Sequence, residues 1–161
     1  MNLVSPNTRS FTMVKNPPEG NQRIIPYLAY DNASEAIDFL CKAFGFECRF
    51  QFPMDDGRIG HAELALHGET LMLASSQPEM KFVGPRSLPA LSAQVAVYVD
   101  DVDAHFARAK AAGAEILSEP VTQFYGDRTY RVRDCEGHCW TFATHVKDIS
   151  PEEMNAGGSC G

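Results

Sequence analysis

Histidine and carboxylate side chains alternate along one segment of the chain. His61 and Glu63 are two residues apart, and His67 follows at a further even step. Residues at i and i+2 of a β-strand point to the same face, so a strand here would present these side chains together. A histidine beside a carboxylate can act as an acid–base pair or bind a polar ligand. A half-buried strand whose polar face meets water would show the same alternation, so both interpretations remain open.

A second set of candidate side chains alternates with valines. Gln94 and Tyr98 occupy the even positions of a β-branched segment. If the valines pack under a helix, these two side chains line a cavity on the other face. The same logic adds Thr141 from a later segment, and it places Trp140 and Phe142 in the core.

Two further candidates lie where a loop enters a strand. Tyr125 and Arg128 flank a glycine and an aspartate. The planar guanidinium of Arg128 suits a carboxylate or phosphate ligand. The alternative is an ion pair with Asp127 or another neighbour that fixes the loop, and the sequence does not separate the two.

Three potential zinc ligands cluster at one turn. Cys135, His138 and Cys139 fall within five residues. Tetrahedral zinc sites need a fourth ligand, and none follows at a suitable spacing. We therefore interpret Cys135 and Cys139 as incidental thiols. The chain has 5 cysteines, an odd number, without a CxxC pair. Free thiols in a reducing cytoplasm are therefore expected.

Composition bounds the class of protein. The chain has 161 residues, about one domain in length. The chain has 14 basic and 21 acidic residues, for a net charge of −7. Nucleic-acid-binding proteins, in contrast, usually carry a basic surface. No apolar run approaches the roughly 18 residues of a membrane span, and the start does not resemble a secretory signal. We expect neither a nucleic-acid nor a membrane partner.

An internal repeat defines the elements that position these candidates. At an offset of 69, residues 68–75 align with 137–144, and residues 31–33 align with 100–102. Each copy is predicted as a strand, an amphipathic helix and three further strands. The predicted strands are 24–30, 46–54, 59–66 and 70–74 in the first copy and 94–99, 115–124, 128–133 and 139–144 in the second. The helices follow Asn32 and Asp100 and end at Gly45 and Gly113.

These elements predict an α+β fold of tandem βαβββ modules. Module one spans 23–76, a linker 77–91 and module two 92–147, with a flexible N-terminal arm at 1–22 and a tail at 148–161. Each helix would cover one face of its sheet, and the other faces would curl toward each other around a cavity, the usual place for a ligand. Phe50 and Phe52 share one strand face, and we expect both to be buried in the core.

The residues resemble the vicinal oxygen chelate superfamily, also called the glyoxalase/bleomycin-resistance/dioxygenase group. The resemblance covers about 22–154 and is carried by segments 25–28, 36–39, 43–45, 97–102 and 133–140. Segments 125–128 and 144–153 are similar to the PhnB-like branch. Cys135 stands where the family usually has proline. The resemblance implies a homodimer and, for metal-dependent members, ligands from the first and last strand of each module.

The ligand positions that the resemblance implies are poor in donors. They fall on Ile25 and Met72 in module one and on Gln94 and Thr141 in module two. Isoleucine has no donor atom, and a thioether suits a hard divalent ion badly. We therefore expect no catalytic metal and no other cofactor.

Three functional hypotheses follow. The first is a metal-free protein that binds a small apolar or aromatic molecule in the cavity. The alternative is an enzyme on the same scaffold: a metal-dependent lyase, isomerase or dioxygenase, or a metal-free enzyme that uses His61 and Glu63. The third is a regulatory module whose acidic arms dock a partner.

Overall fold

The computed structural model describes residues 14–157. Most of the predicted N-terminal arm and the end of the tail lie outside the described residues. The first module contains β1 (Tyr27–Tyr30), α1 (Ala33–Phe39, continued by a π-helical turn at Leu40–Phe44), β2 (Glu47–Pro53), β3 (Ile59–Leu66) and β4 (Glu69–Ser75). The second contains β5 (Val95–Tyr98), α2 (Val102–Ala111), β6 (Glu115–Thr122), β7 (Asp127–Arg133) and β8 (Cys139–His145), followed by α3 (Pro151–Gly157). No helix in this part of the chain is long and apolar enough to cross a membrane.

The two modules have the same topology. Their strand orders are β1-β4-β3-β2 and β5-β8-β7-β6, and in each the first strand is parallel to the last. Tyr27 pairs with Met72, and Ala96 pairs with Thr141. The second pair lies 69 residues after the first, so the predicted repeat and its offset are confirmed.

Local capping explains where the helices begin and end. The Asn32 side chain accepts a hydrogen bond from the Glu35 N–H, and Asp101 accepts one from the Ala104 N–H. Both are N-caps, which satisfy helix N–H groups that have no partner within the helix. Gly45 ends the first helix with φ of 80°, a left-handed conformation that favours glycine.

A single apolar cluster joins the modules. It forms where the helices meet the covered faces of both sheets, and its largest members are Tyr30, Phe44, Tyr130, Trp140 and Phe142, all 0% exposed. The prediction that Trp140 and Phe142 belong to the core is confirmed. The sheet faces that carry the candidate residues therefore lie on the opposite side, which no helix of residues 14–157 covers and which is called the helix-free face below.

Two expectations about burial need correction. Phe50 and Phe52 are 51% and 59% exposed instead of buried. Both phenylalanines lie on edge strand β2 and pair with Glu63 and His61 of β3, which places them on the helix-free face. The fold class is confirmed. Within residues 14–157 the two sheets share no strand pairing and do not close around an interior.

Candidate functional site

The helix-free face of module one holds a three-residue hydrogen-bonded cluster. The Tyr27 hydroxyl lies 3.0 Å from His61 Nδ1, and His61 Nε2 lies 3.4 Å from Glu63 Oε1. The rings of Tyr27 and His61 meet edge to face, with 5.6 Å between centroids. The structure thus brings His61 and Glu63 together, as their spacing predicts.

The cluster has a consistent proton arrangement. Burial raises the pKa of Tyr27, so its hydroxyl stays protonated and can donate to His61 Nδ1 when that nitrogen carries no proton. In that tautomer the single ring N–H is at Nε2, where it can donate to Glu63. The imidazole is oriented from both sides, as a binding or proton-transferring histidine is.

Tyr27 belongs to this cluster, although the strand alternation in the sequence did not indicate it. It comes from β1, whereas its partners come from β3, and β4 separates these strands in the sheet. The repeat gives a partial indication of Tyr27, since it aligns β1 with the segment that contains the predicted site residues Gln94 and Tyr98.

Part of the predicted cavity lining in module two is also assembled. Thr141 Oγ1 donates to Gln94 Oε1 at 3.5 Å, and Cys139 Sγ is 3.9 Å from the same oxygen. Arg131, on the neighbouring strand, donates from its guanidinium to Cys139 Sγ at 3.6 Å. Cys139 is buried and the other three side chains border open space, so this group lines a groove.

The groove beside this group has a volume of about 540 Å³. Its lining consists of Leu91, Ser92, Ala93, Gln94, Leu117, Arg131, Arg133 and Cys139. A volume of this order falls within the range of small-molecule sites. The groove offers an apolar part and a polar part on one surface.

Tyr98 lies at the other end of the same sheet face. Its hydroxyl donates to Asp127 Oδ2 at 2.6 Å, and His145 Nδ1 lies 2.7 Å from Asp127 Oδ1. The hydrogen bond from Tyr98, with help from His145, lowers the pKa of Asp127. In turn Asp127, followed by Asp148, raises the pKa of His145. Tyr98 is 64% exposed and presents an aromatic ring to the helix-free side.

Arg128 does not join the other candidates. It shares the helix-facing side of β7 with Tyr130, and its guanidinium forms two hydrogen bonds to the Asp103 carboxylate of α2, at 2.7 and 2.8 Å. Arg128 therefore forms an ion pair, as the second interpretation of the sequence expects. The pair fixes the strand to its helix, and its partner is Asp103 instead of Asp127. Tyr125 lies at the loop, 39% exposed and edge to face with Phe124.

The donor set does not fit a catalytic metal. In module one the implied ligand positions are Ile25, which has no donor atom, and Met72, which offers only a thioether. The Tyr27 hydroxyl and the His61 imidazole of the cluster are hydrogen-bonded to each other. Gln94 and Thr141 are hydrogen-bonded to each other in module two. Within residues 14–157, no group of three or more His, Cys, Asp or Glu side chains could hold an ion.

The zinc-like turn also has other partners. His138 Nε2 lies 2.9 Å from the Ala29 carbonyl oxygen, across the module boundary. Burial, with the charges of Asp134 and Glu136, raises the pKa of Cys135 to about 12. A thiol with this pKa remains protonated at neutral pH.

These features define a class of protein: two βαβββ modules back to back on one core, each with a helix-free sheet face lined by polar and aromatic side chains. The chain belongs to the Glyoxalase/Bleomycin resistance protein/Dioxygenase superfamily, whose family model matches residues 23–142. The predicted membership is thereby confirmed.

Curated relatives carry no assigned function. Uncharacterized proteins of Mycobacterium bovis and Mycobacterium tuberculosis are 37% identical over 134 residues, 81% of this chain and 88% and 79% of theirs. Among solved structures, TioX from Micromonospora sp. ML1 is 35% identical, with a TM-score of 0.62, over 78% of this chain and 99% of its own. A glyoxalase-related enzyme from Fulvimarina pelagi, 19% identical, with a TM-score of 0.59 over 76% of this chain and 87% of its own, shares the fold.

Proposed function

We propose that this protein binds a small apolar or aromatic molecule against its helix-free sheet faces, without a catalytic metal. The observation that carries the proposal is the pairing of exposed aromatic side chains with fixed polar groups on these faces. Phe50 and Phe52 pair with Glu63 and His61 of the module-one cluster. Tyr98 is exposed at the other end of the sheet face that carries the module-two groove. Apolar walls with a few oriented polar groups are typical of ligand sites.

A second copy of the chain would complete the site. The two helix-free faces are not closed on each other within one chain, and both expose large aromatic side chains. Exposed apolar patches of this kind mark ligand or protein contacts. We therefore propose a homodimer in which module one of one copy faces module two of the other across the ligand.

Two finer assignments rest on the residues alone. Segments 125–128 and 144–153 support placement in the PhnB-like branch of the superfamily. The free cysteines Cys41, Cys48, Cys135 and Cys139 support a reducing, cytoplasmic location.

Three measurements on the full-length, tag-free protein test the proposal. Light scattering reports the oligomeric state, and mass spectrometry reports metal retained after exposure to Ni, Co, Mn, Zn and Fe(II) salts and dialysis. A thermal-shift screen of aromatic compounds reports binding. We expect a dimer, far less than one ion per chain and stabilisation by a subset of aromatic compounds. Near-stoichiometric retention of one metal would overturn the metal-free assignment.

A metal-free enzyme is the second candidate, and the oriented histidine favours it. His61 is held between a donor and a carboxylate, as a general base would be. If a ligand from the screen is chemically converted, His61→Gln should abolish turnover while the ligand still binds. Unchanged turnover in that variant would exclude His61 as the base.

A further inference from the structure

Four of the eight arginines in residues 14–157 have a carboxylate partner. Ion pairs join Arg58 to Asp56, Arg128 to Asp103 and Arg133 to Glu115, and Arg86 lies beside Glu136. This is expected in a chain with a net charge of −7, where carboxylates outnumber cations. The other four, which are Arg23, Arg49, Arg108 and Arg131, have no carboxylate partner among the described residues.

Arg131 is such a cation, and it lies in the module-two groove. Among the described residues its guanidinium has one polar contact, the Cys139 sulfur at 3.6 Å. Sulfur is a weak acceptor, and a guanidinium has five N–H donors. Its backbone is held in the centre of β7, opposite Ser118 and Thr141, so the side chain projects from a rigid strand.

The neighbours of Arg131 add a second donor. The amide oxygen of Gln94 accepts hydrogen bonds from Thr141 and Cys139. This fixes the orientation of the amide, and no described residue accepts a hydrogen bond from its NH₂ group. That NH₂ group and the guanidinium line one groove.

We propose that Arg131, with Gln94, forms a carboxylate-binding subsite, so that the ligand is an organic acid with an apolar or aromatic body. The planar guanidinium matches the two oxygens of a carboxylate. One free positive charge balances one carboxylate, whereas a phosphate dianion would need a second, and the nearby Arg133 is already paired with Glu115. Leu91 and Leu117 supply an apolar wall in the same groove. The inference rests on the proposed binding function and names its ligand class.

Matched acid and amide probes test the subsite. Benzoate and benzamide, and 2-naphthoate and 2-naphthamide, differ only in charge and carboxyl chemistry. Titration calorimetry on the full-length protein should show each acid binding about tenfold tighter than its amide, as a charge-assisted hydrogen bond predicts. The variant Arg131→Gln should remove this preference, and Arg131→Lys should retain part of it. Arg58→Gln, which changes a module-one arginine already paired with Asp56, should behave as the parent.

The outcomes separate the inference from the function on which it rests. Equal binding of acid and amide, or an acid preference that survives in Arg131→Gln, overturns the carboxylate subsite and leaves the binding function standing. Absence of binding by every acid and every amide counts against both. Loss of the acid preference in Arg131→Gln, with the preference kept in Arg58→Gln, supports both the carboxylate subsite and the binding function.

Discussion

The Tyr30 hydroxyl of module one donates to Asp134 Oδ2 of module two at 2.7 Å, across 104 residues of sequence. Both side chains are buried. The same oxygen accepts a hydrogen bond from Trp140 Nε1 at 3.0 Å, and Oδ1 accepts three from backbone N–H groups of residues 136–138. A buried carboxylate is tolerated when it is satisfied in this way. Asp134 therefore orders its own turn and links the two modules.

The variant Tyr30→Phe should destabilise the protein. It removes one donor from a buried carboxylate while leaving the ring in the core, which costs about 1–3 kcal/mol. Urea unfolding followed by circular dichroism measures the change. Tyr125→Phe is the matched control, since Tyr125 is exposed at a loop. Equal midpoints for the two variants would contradict the assigned role of Tyr30.

The variant Phe52→Ser should weaken ligand binding and barely change stability. Phe52 is 59% exposed on the module-one face, so the folded chain loses little packing when it is removed. An aromatic ligand stacked on that face would lose about tenfold in affinity, from lost apolar burial and ring contact. Titration of a ligand from the thermal-shift screen measures this.

The matched control for Phe52 is Met80→Ser. Met80 is also exposed, at 70%, but it lies in the linker, outside the proposed site. Equal loss of affinity in the two variants would show that the effect is not specific to the module-one face.

The variant Arg128→Gln should leave ligand affinity unchanged. Its guanidinium is bound to Asp103 on the helix-facing side of β7, away from the groove that contains Arg131. Exposed ion pairs contribute little to stability, so only a small decrease in Tm is expected. The measurement is titration of 2-naphthoate beside the Arg131→Gln variant. A comparable loss of affinity in the Arg128→Gln and Arg131→Gln variants would show that Arg128 also contributes to ligand binding.

The His145–Asp127 pair should stabilise the fold in a limited pH range. Because the pKa of His145 is raised in the fold, its contribution is present below the ordinary value of about 6.5 and is lost as pH rises through the folded pKa. The pKa of Asp127 is lowered, so the pair is also lost in acid, as pH falls through that folded value.

The variant His145→Gln tests this range. The Tm difference from the parent should be greatest near about pH 6 and should disappear at alkaline pH, where the histidine is neutral. High salt should reduce the difference, because the His145 side chain is half exposed. A difference that is constant from acid to alkaline pH would contradict a charged pair.

Several features could be predicted from the residues because they depend on local physics. The amphipathic helix that ends at Gly45 follows from periodicity and glycine conformation, and the repeat at offset 69 predicts the pairing seen at Met72 and Thr141. The burial of Trp140 follows from strand alternation once one face is assigned to a helix. Each of these inferences needs only residues that are close in sequence or related by the repeat.

Other features failed or were missed because they depend on distant elements. Alternation places Phe50 and Phe52 on one face but does not say whether anything covers that face, and here no helix does. The direction of Arg128 depends on Asp103 being within reach on α2. Tyr27 joins His61 only through the sheet order, in which β1 and β3 lie on either side of β4.

Residue patterns alone predict the two modules, their helices and strands, and the family to which they belong. These features depend on hydrophobic periodicity, capping residues and an internal repeat, which act over a few residues or by duplication. The side-chain contacts of Tyr30 with Asp134, Tyr27 with His61 and Arg131 with Cys139 are visible only in the folded chain. The reason is that contacts between residues distant in sequence are set by strand order and by the packing of the modules on one core, which local patterns do not specify.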